Sequence, residues 1–180
     1  MGSATPDAEL FVESARRFTH ILADASSLIV LADIGALEAA ADTWQIVTIP
    51  EAAEEAGPIL GYSEPLSSLI QHVTTYESPL EAKREGSRRG TTSTDRLLLK
   101  TALHHQWPLL SEDRKILMAA EEAGLDCLDS LVAIELLQGF SVEGPQSYSH
   151  WRQRILERNK YTTYRLSWAE QVARAIQKLL

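Results

Sequence analysis

The chain has 180 residues, of which 44% are apolar and 23% charged, and a formal net charge of −8. That balance suits one folded domain with a full core and excludes a disordered or fibrous chain. Apolar runs such as residues 28–32 and 131–133 are too short to span a bilayer, and the first residues lack the basic-then-apolar order of a secretory signal. A single cysteine, Cys127, rules out an intramolecular disulfide. The expectation is a cytoplasmic protein in a reducing compartment, with no membrane association and Cys127 as a small core residue.

In chain order, Thr5-Pro6-Asp7 reads as a helix start, with Leu10, Phe11, Ala15 and Phe18 carrying an apolar face to about residue 18. A short apolar run then reads as a buried strand ending on Asp24. Ser26, Ser27, Leu28, Leu31 and Ala32 continue as a helix that Gly35 closes. A second strand is predicted over 44–49, and Pro50 opens a helix that Gly57-Pro58 stops. Ser63-Glu64-Pro65 predicts a helix with Leu66, Leu69, Ile70 and Val73 on its apolar face, and Ser78-Pro79-Leu80 predicts another ending near Gly86. Residues 83–93 form a basic, Gly- and Thr-rich loop with Arg88 and Arg89, either a solvated connection or an anion contact.

Ser93-Thr94-Asp95 begins a helix whose buried face is Leu98, Leu99, Ala102 and Leu103, and a strand over 107–111 runs into Glu112-Asp113. A helix over 114–123 closed by Gly124, a strand over 125–128 and a helix over 130–138 ended by Gly139 complete the pattern. This alternation predicts an α/β fold, a parallel sheet with helices on its faces. A linker over 140–146 leads to two helices, near 148–159 and 166–180. The expected organisation is one domain over 1–140 and a C-terminal helical extension over 141–180 packed on it.

From residue 145 onward the chain holds seven Lys and Arg against two acids, so the preceding body is strongly acidic. A basic tail rich in Trp and Tyr suits either an anionic partner or docking on that body. Arg154 and Arg158 are the candidates for RNA contact, with pairing to the acidic surface as the other reading.

Four acids stand at comparable places: Asp24 at a strand end, an acid of the helix after Pro50, Asp95 at a helix start, and Asp113 after a later strand. In open α/β sheets, ligands bind at the carboxyl ends of the strands. A helix cap is the plainer role for Asp24. Converging carboxylates without cysteine would make an oxygen-only site, which suits Mg²⁺ or Mn²⁺ better than zinc. Glu51, Glu54 and Glu55 compete for the second position, and Glu55 is slightly preferred from its distance to Pro50. Ser26 stands where a haloacid-type phosphatase needs its second acid, and no Gly-x-Ser-x-Gly elbow is present. His104-His105, near a helix end, lacks zinc-ligand spacing.

Asp24-Ala-Ser26, the acid of the Pro50-initiated helix, the stretch from Asp95 to Leu103, and Leu110-Ser111-Glu112-Asp113-Arg114 together resemble the four acidic motifs of PIN-domain proteins, among them the ribonuclease toxins of bacterial toxin–antitoxin pairs. The resemblance covers about residues 19–139. It implies a PIN-like three-layer fold with the acids at the carboxyl edge of the sheet, and Mg²⁺- or Mn²⁺-dependent cleavage of RNA. It also implies catalytic roles for Asp24, Glu55, Asp95 and Asp113, metal ligation by Asp24, Asp95 and Asp113, and orienting hydroxyls on Ser26 and Ser111. An antitoxin protein and a homodimer are the partners it implies, with the segment over 63–85 as the surface for either. A further acid often present after the fourth motif is absent, since Arg114, Lys115 and Ile116 follow Asp113. A degenerate PIN-like protein or an RNA-binding module is the alternative.

Overall fold

The computed structural model describes residues 7–60, 70–73, 93–158 and 161–179. Five strands, β1 (His20–Ala23), β2 (Gln45–Thr48), β3 (Ile70–His72), β4 (Leu109–Leu110) and β5 (Cys127–Leu128), form one sheet in the order β3-β2-β1-β4-β5. Every neighbouring pair is parallel. The helices among the described residues are α1 (Ala8–Ala15), α2 (Ala25–Asp33), α3 (Leu37–Thr43), α4 (Pro50–Leu60), α5 (Ser93–His105), α6 (Arg114–Glu122), α7 (Ser130–Phe140), α8 (Pro145–Glu157) and α9 (Thr163–Leu179).

Strand order decides where the helices go. From β1 the chain steps through β2 to β3 in one direction and later from β4 to β5 in the other, so right-handed crossovers put α2, α3 and α4 on one face and α6 on the opposite face. Packing agrees: α2 lies against α3 and α4, α5 lies against α6, and α7 joins α2 and α3. The result is the expected α/β sandwich of helix, sheet and helix. β1 and β2 are buried along nearly their whole length, as parallel strands covered on both faces are. Ile21, Leu22, Ile46 and Leu109 of the sheet and Leu28 and Leu31 of α2 are all buried in one core.

Each exit from β1, β4 and β5 is made the same way. Asp24, Asp113 and Asp129 cap α2, α6 and α7, accepting backbone N–H groups of the first turn. Two helix ends turn on glycine in the left-handed region, Gly35 at φ +76° and Gly124 at φ +77°.

α8 and α9 are seated on α7. Glu135 of α7 is fully buried and accepts a 2.6 Å hydrogen bond from the Tyr148 hydroxyl and a 3.1 Å charged bond from Arg152 Nε. Burial pushes its carboxyl up, and these two partners pull against it. The Trp151 indole N–H donates to the Gly35 carbonyl at 3.0 Å. Trp168 packs on Phe11, their ring centroids 5.6 Å apart. α9 crosses α7 at Gly139, where a Cβ would lie 2.4 Å from Ile176 Cγ2.

At the opposite, amino edge of the sheet the Trp107 indole lies between two imidazoles. His105 stacks on it at 4.1 Å and His20 at 4.8 Å, with interplanar angles of 11° and 4°. His104 and His105 thus occupy the last turn of α5, with His104 edge-on to His105.

Several sequence expectations need correction. Residues 70–72 are the edge strand β3 rather than a helical face: three residues with only Ile70 buried are too short to show a strand's alternation. α1 is capped by Asp7, whose carboxylate accepts the Glu9 N–H at 2.9 Å, and it ends at Ala15 rather than near residue 18. α4 runs through Gly57-Pro58 to Leu60, because a proline in the last turn removes one backbone bond and leaves the helix otherwise intact. α7 likewise continues through Gly139 to Phe140. The predicted helices at 63–69 and 78–86, and the basic loop with Arg88 and Arg89, lie outside the described residues. Among the described residues no helix is long and apolar enough to cross a membrane.

Candidate functional site

Strand register builds the site. Ala23, Leu110 and Leu128 share one rung across β1, β4 and β5. The next row, where the strands end, is therefore Asp24, Ser111 and Asp129. Neighbouring strands are about 4.8 Å apart, so this row spans about 10 Å.

Asp24 is 6% exposed and heavily solvated by protein. Its Oδ2 accepts from the Ser111 hydroxyl at 2.6 Å and the Ser26 hydroxyl at 2.9 Å, and its Oδ1 accepts the Ser27 N–H at 2.7 Å. Burial pushes the carboxyl above the usual range, and the bonds from Ser111, Ser27 and Ser26 pull it back. Ser111, itself fully buried, also accepts the Asp113 N–H at 3.0 Å. One hydroxyl thus donates to the Asp24 carboxylate and fixes the backbone of Asp113. Asp113 Oδ1 caps α6 through the Lys115 N–H at 2.7 Å, and the residue faces solvent.

A second group forms between α4 and α5. The Thr94 hydroxyl donates to Glu55 Oε1 at 3.0 Å, which sets Glu55 beside the start of the helix that carries Asp95. Glu51, one turn earlier on the same face of α4, keeps a buried Oε2 without a hydrogen-bond partner among the described residues. Glu54 is exposed.

Two acids escaped the sequence reading. Asp129 is 2% exposed; its Oδ1 accepts the Val132 N–H at 2.9 Å, and its Oδ2 meets the Arg165 guanidinium at 2.5 Å. Burial pushes its carboxyl up while Arg165 and the Val132 N–H favour ionisation. Glu112 accepts the Ser130 N–H at 2.8 Å and the Tyr161 hydroxyl at 3.0 Å. A strand, an acid and a helix at 125–132 repeat the signal that singled out Asp24, so Asp129 was open to detection.

Arg154 and Arg158 are engaged elsewhere. Arg154 donates to the Asp33 carbonyl at 3.2 Å, and Arg158 pairs with the Asp33 carboxylate, at the far end of α2 from Asp24. Cys127 is no nucleophile: burial, then the charge of Glu121, pushes its thiol up to about 12.

Among the described residues no three His, Cys, Asp or Glu side chains close on one point at metal-binding range. Mg²⁺, however, keeps several waters and takes one or two carboxylates together with substrate phosphates. The donors present fit that mode: they are all oxygen, Asp24 and Asp113 are joined through Ser111, and the buried Glu51 Oε2 has no hydrogen-bond partner among the described residues. They do not fit zinc, which would need nitrogen or sulfur.

No family model and no curated protein sequence matches the chain. Among solved structures, a PilT N-terminus domain protein from the hyperthermophilic archaeon Sulfolobus solfataricus P2 is similar at a TM-score of 0.47 and 12% identity, over 69% of this chain and 96% of that one. At that score the likeness adds nothing to the site, which stands on its own geometry.

Proposed function

We propose that this chain is a metal-dependent ribonuclease of the PIN kind, hydrolysing RNA phosphodiester bonds at the carboxyl edge of its sheet. The observation that carries the reading is the buried tie from Asp24 through the Ser111 hydroxyl to the Asp113 backbone, at the strand ends where open α/β sheets bind ligands. In this reading Asp24 and Asp113 would hold Mg²⁺ or Mn²⁺, with Asp95 and an acid of α4 completing the edge. The chemistry supplied there would be a bound water of lowered pKa and neutralisation of charge on the phosphate. The protein's own part is positional. Ser26 and Ser111 fix the Asp24 carboxylate, and Thr94 holds Glu55 against α5.

The test is cleavage of a structured RNA during titration with Mg²⁺ and Mn²⁺. Cleavage is expected in the parent and lost in Asp24→Asn and in Asp113→Asn, each of which removes a charge at nearly constant shape. Variants that cut like the parent would exclude the acidic site. A second reading, an RNA-binding module that does not cut, is favoured by the three donors already on Asp24. Metal and RNA binding without cleavage in the parent would select it. A toxin role, an antitoxin partner and a homodimer are further proposals within the first reading, and light scattering that reports a monomer at high concentration would remove the dimer.

A further inference from the structure

We propose that Arg165 grips the phosphate backbone of the RNA at the acidic edge, an inference that rests on the ribonuclease reading. An edge lined with carboxylates repels a polyanion, so the substrate needs donors close by. In the tail, Arg152 is engaged by Glu135, Arg154 and Arg158 by Asp33, Arg174 by Glu170 on its own helix, and Lys178 by Glu9. Asp33 lies nine residues beyond Asp24, about 13 Å along α2 at 1.5 Å per residue. Arg165 instead meets Asp129, in the same row as Asp24 and about 10 Å from it.

Its anchoring is that of a fixed donor. Asp129 is held by its cap bond to Val132, and Nη1 of Arg165 meets its other oxygen. The segment leading to Arg165 is pinned where the Tyr161 hydroxyl meets Glu112, next to Asp113. A guanidinium has five N–H donors in a planar fork, and apart from the Nη1 bond those of Arg165 have no hydrogen-bond partner among the described residues. Its side chain keeps 20% of its surface exposed. The pair with Asp129 cancels net charge but leaves donors of the right geometry for a phosphate.

Removing Arg165 alone would leave Asp129 buried and unpaired, so the test is made in an Asp129→Asn background, where asparagine still caps α7. Binding of a short single-stranded RNA is measured in EDTA, so that nothing is cut, across a range of KCl. Asp129→Asn, which caps α7 but no longer pairs with Arg165, serves as the reference for the double variant. Asp129→Asn with Arg165→Met is expected to bind about tenfold more weakly, the effect of one lost charged hydrogen-bonding group. Its slope of log K against log salt should fall by about 0.7, one phosphate contact on a single strand. Equal affinity and equal slope in the two variants would overturn the assignment and leave Arg165 as a fastener of the tail. A parent that cuts RNA with Mg²⁺ or Mn²⁺ yet has no affinity for it in EDTA would overturn this inference alone, and one that neither binds nor cuts would overturn the ribonuclease reading with it.

Discussion

Buried at the end of β1, the Asp24 carboxyl keeps its proton more tightly in the folded chain than in the unfolded one, where its ordinary value is 3.8. A raised folded pKa means that stability falls as pH climbs from the unfolded value to the folded value, and stays lowered above it. The ionised carboxylate therefore weakens the fold at neutral pH. Asp24→Asn removes the titration while keeping a capping side chain. Its stability relative to the parent should rise between about pH 4 and neutrality, as read from urea unfolding at each pH, with Asp129 and Glu135 titrating alike in both proteins. A difference that does not change with pH would mean that Asp24 is no harder to ionise folded than unfolded.

At the scale of the helix, Gly139 shows contact overriding propensity. Alanine in a helix interior ordinarily gains about 1 kcal/mol over glycine, but here its Cβ would strike Ile176, a buried residue of α9. Overpacking of that kind costs about 1 to 3 kcal/mol, so Gly139→Ala should lower the urea midpoint. Pairing it with Ile176→Ala should cost less than the two changes summed, because the second removes the clash. The sequence points to Gly139 as a helix end, since a close crossing leaves no trace in local spacing. Longer signals were readable: the apolar runs of β1 and β2, the acids that end β1 and β4, and the glycines at 35 and 124. What escaped was short or distant. β3 exposes two of its three residues, and Asp129 meets a partner 36 positions away that no periodicity links to it.

Across the whole molecule the basic tail and the acidic body meet in specific pairs. Cutting the chain after residue 140 would strip Tyr148 and Arg152 from Glu135 and Arg165 from Asp129, and would uncover the face of α7 under α9. Each buried charge left alone costs about 3 to 5 kcal/mol, against a total stability of about 5 to 15 kcal/mol for a typical domain. The shortened protein should fail to fold, with loss of the near-ultraviolet circular dichroism of the parent; a native-like spectrum would mean that the tail is dispensable. The amino edge lies apart from all of this. Because His105 is stacked on the Trp107 indole at 4.1 Å, the excited state of that indole is an optical gauge of the His105 protonation: an imidazolium against an indole face quenches emission. Burial, then the neighbouring His104 and His20, shifts the His105 pKa downward, so the quenching by His105 sets in on the acid side of the ordinary imidazole range. Light emitted at one edge of the sheet thus registers protons without being disturbed by the carboxylates at the other.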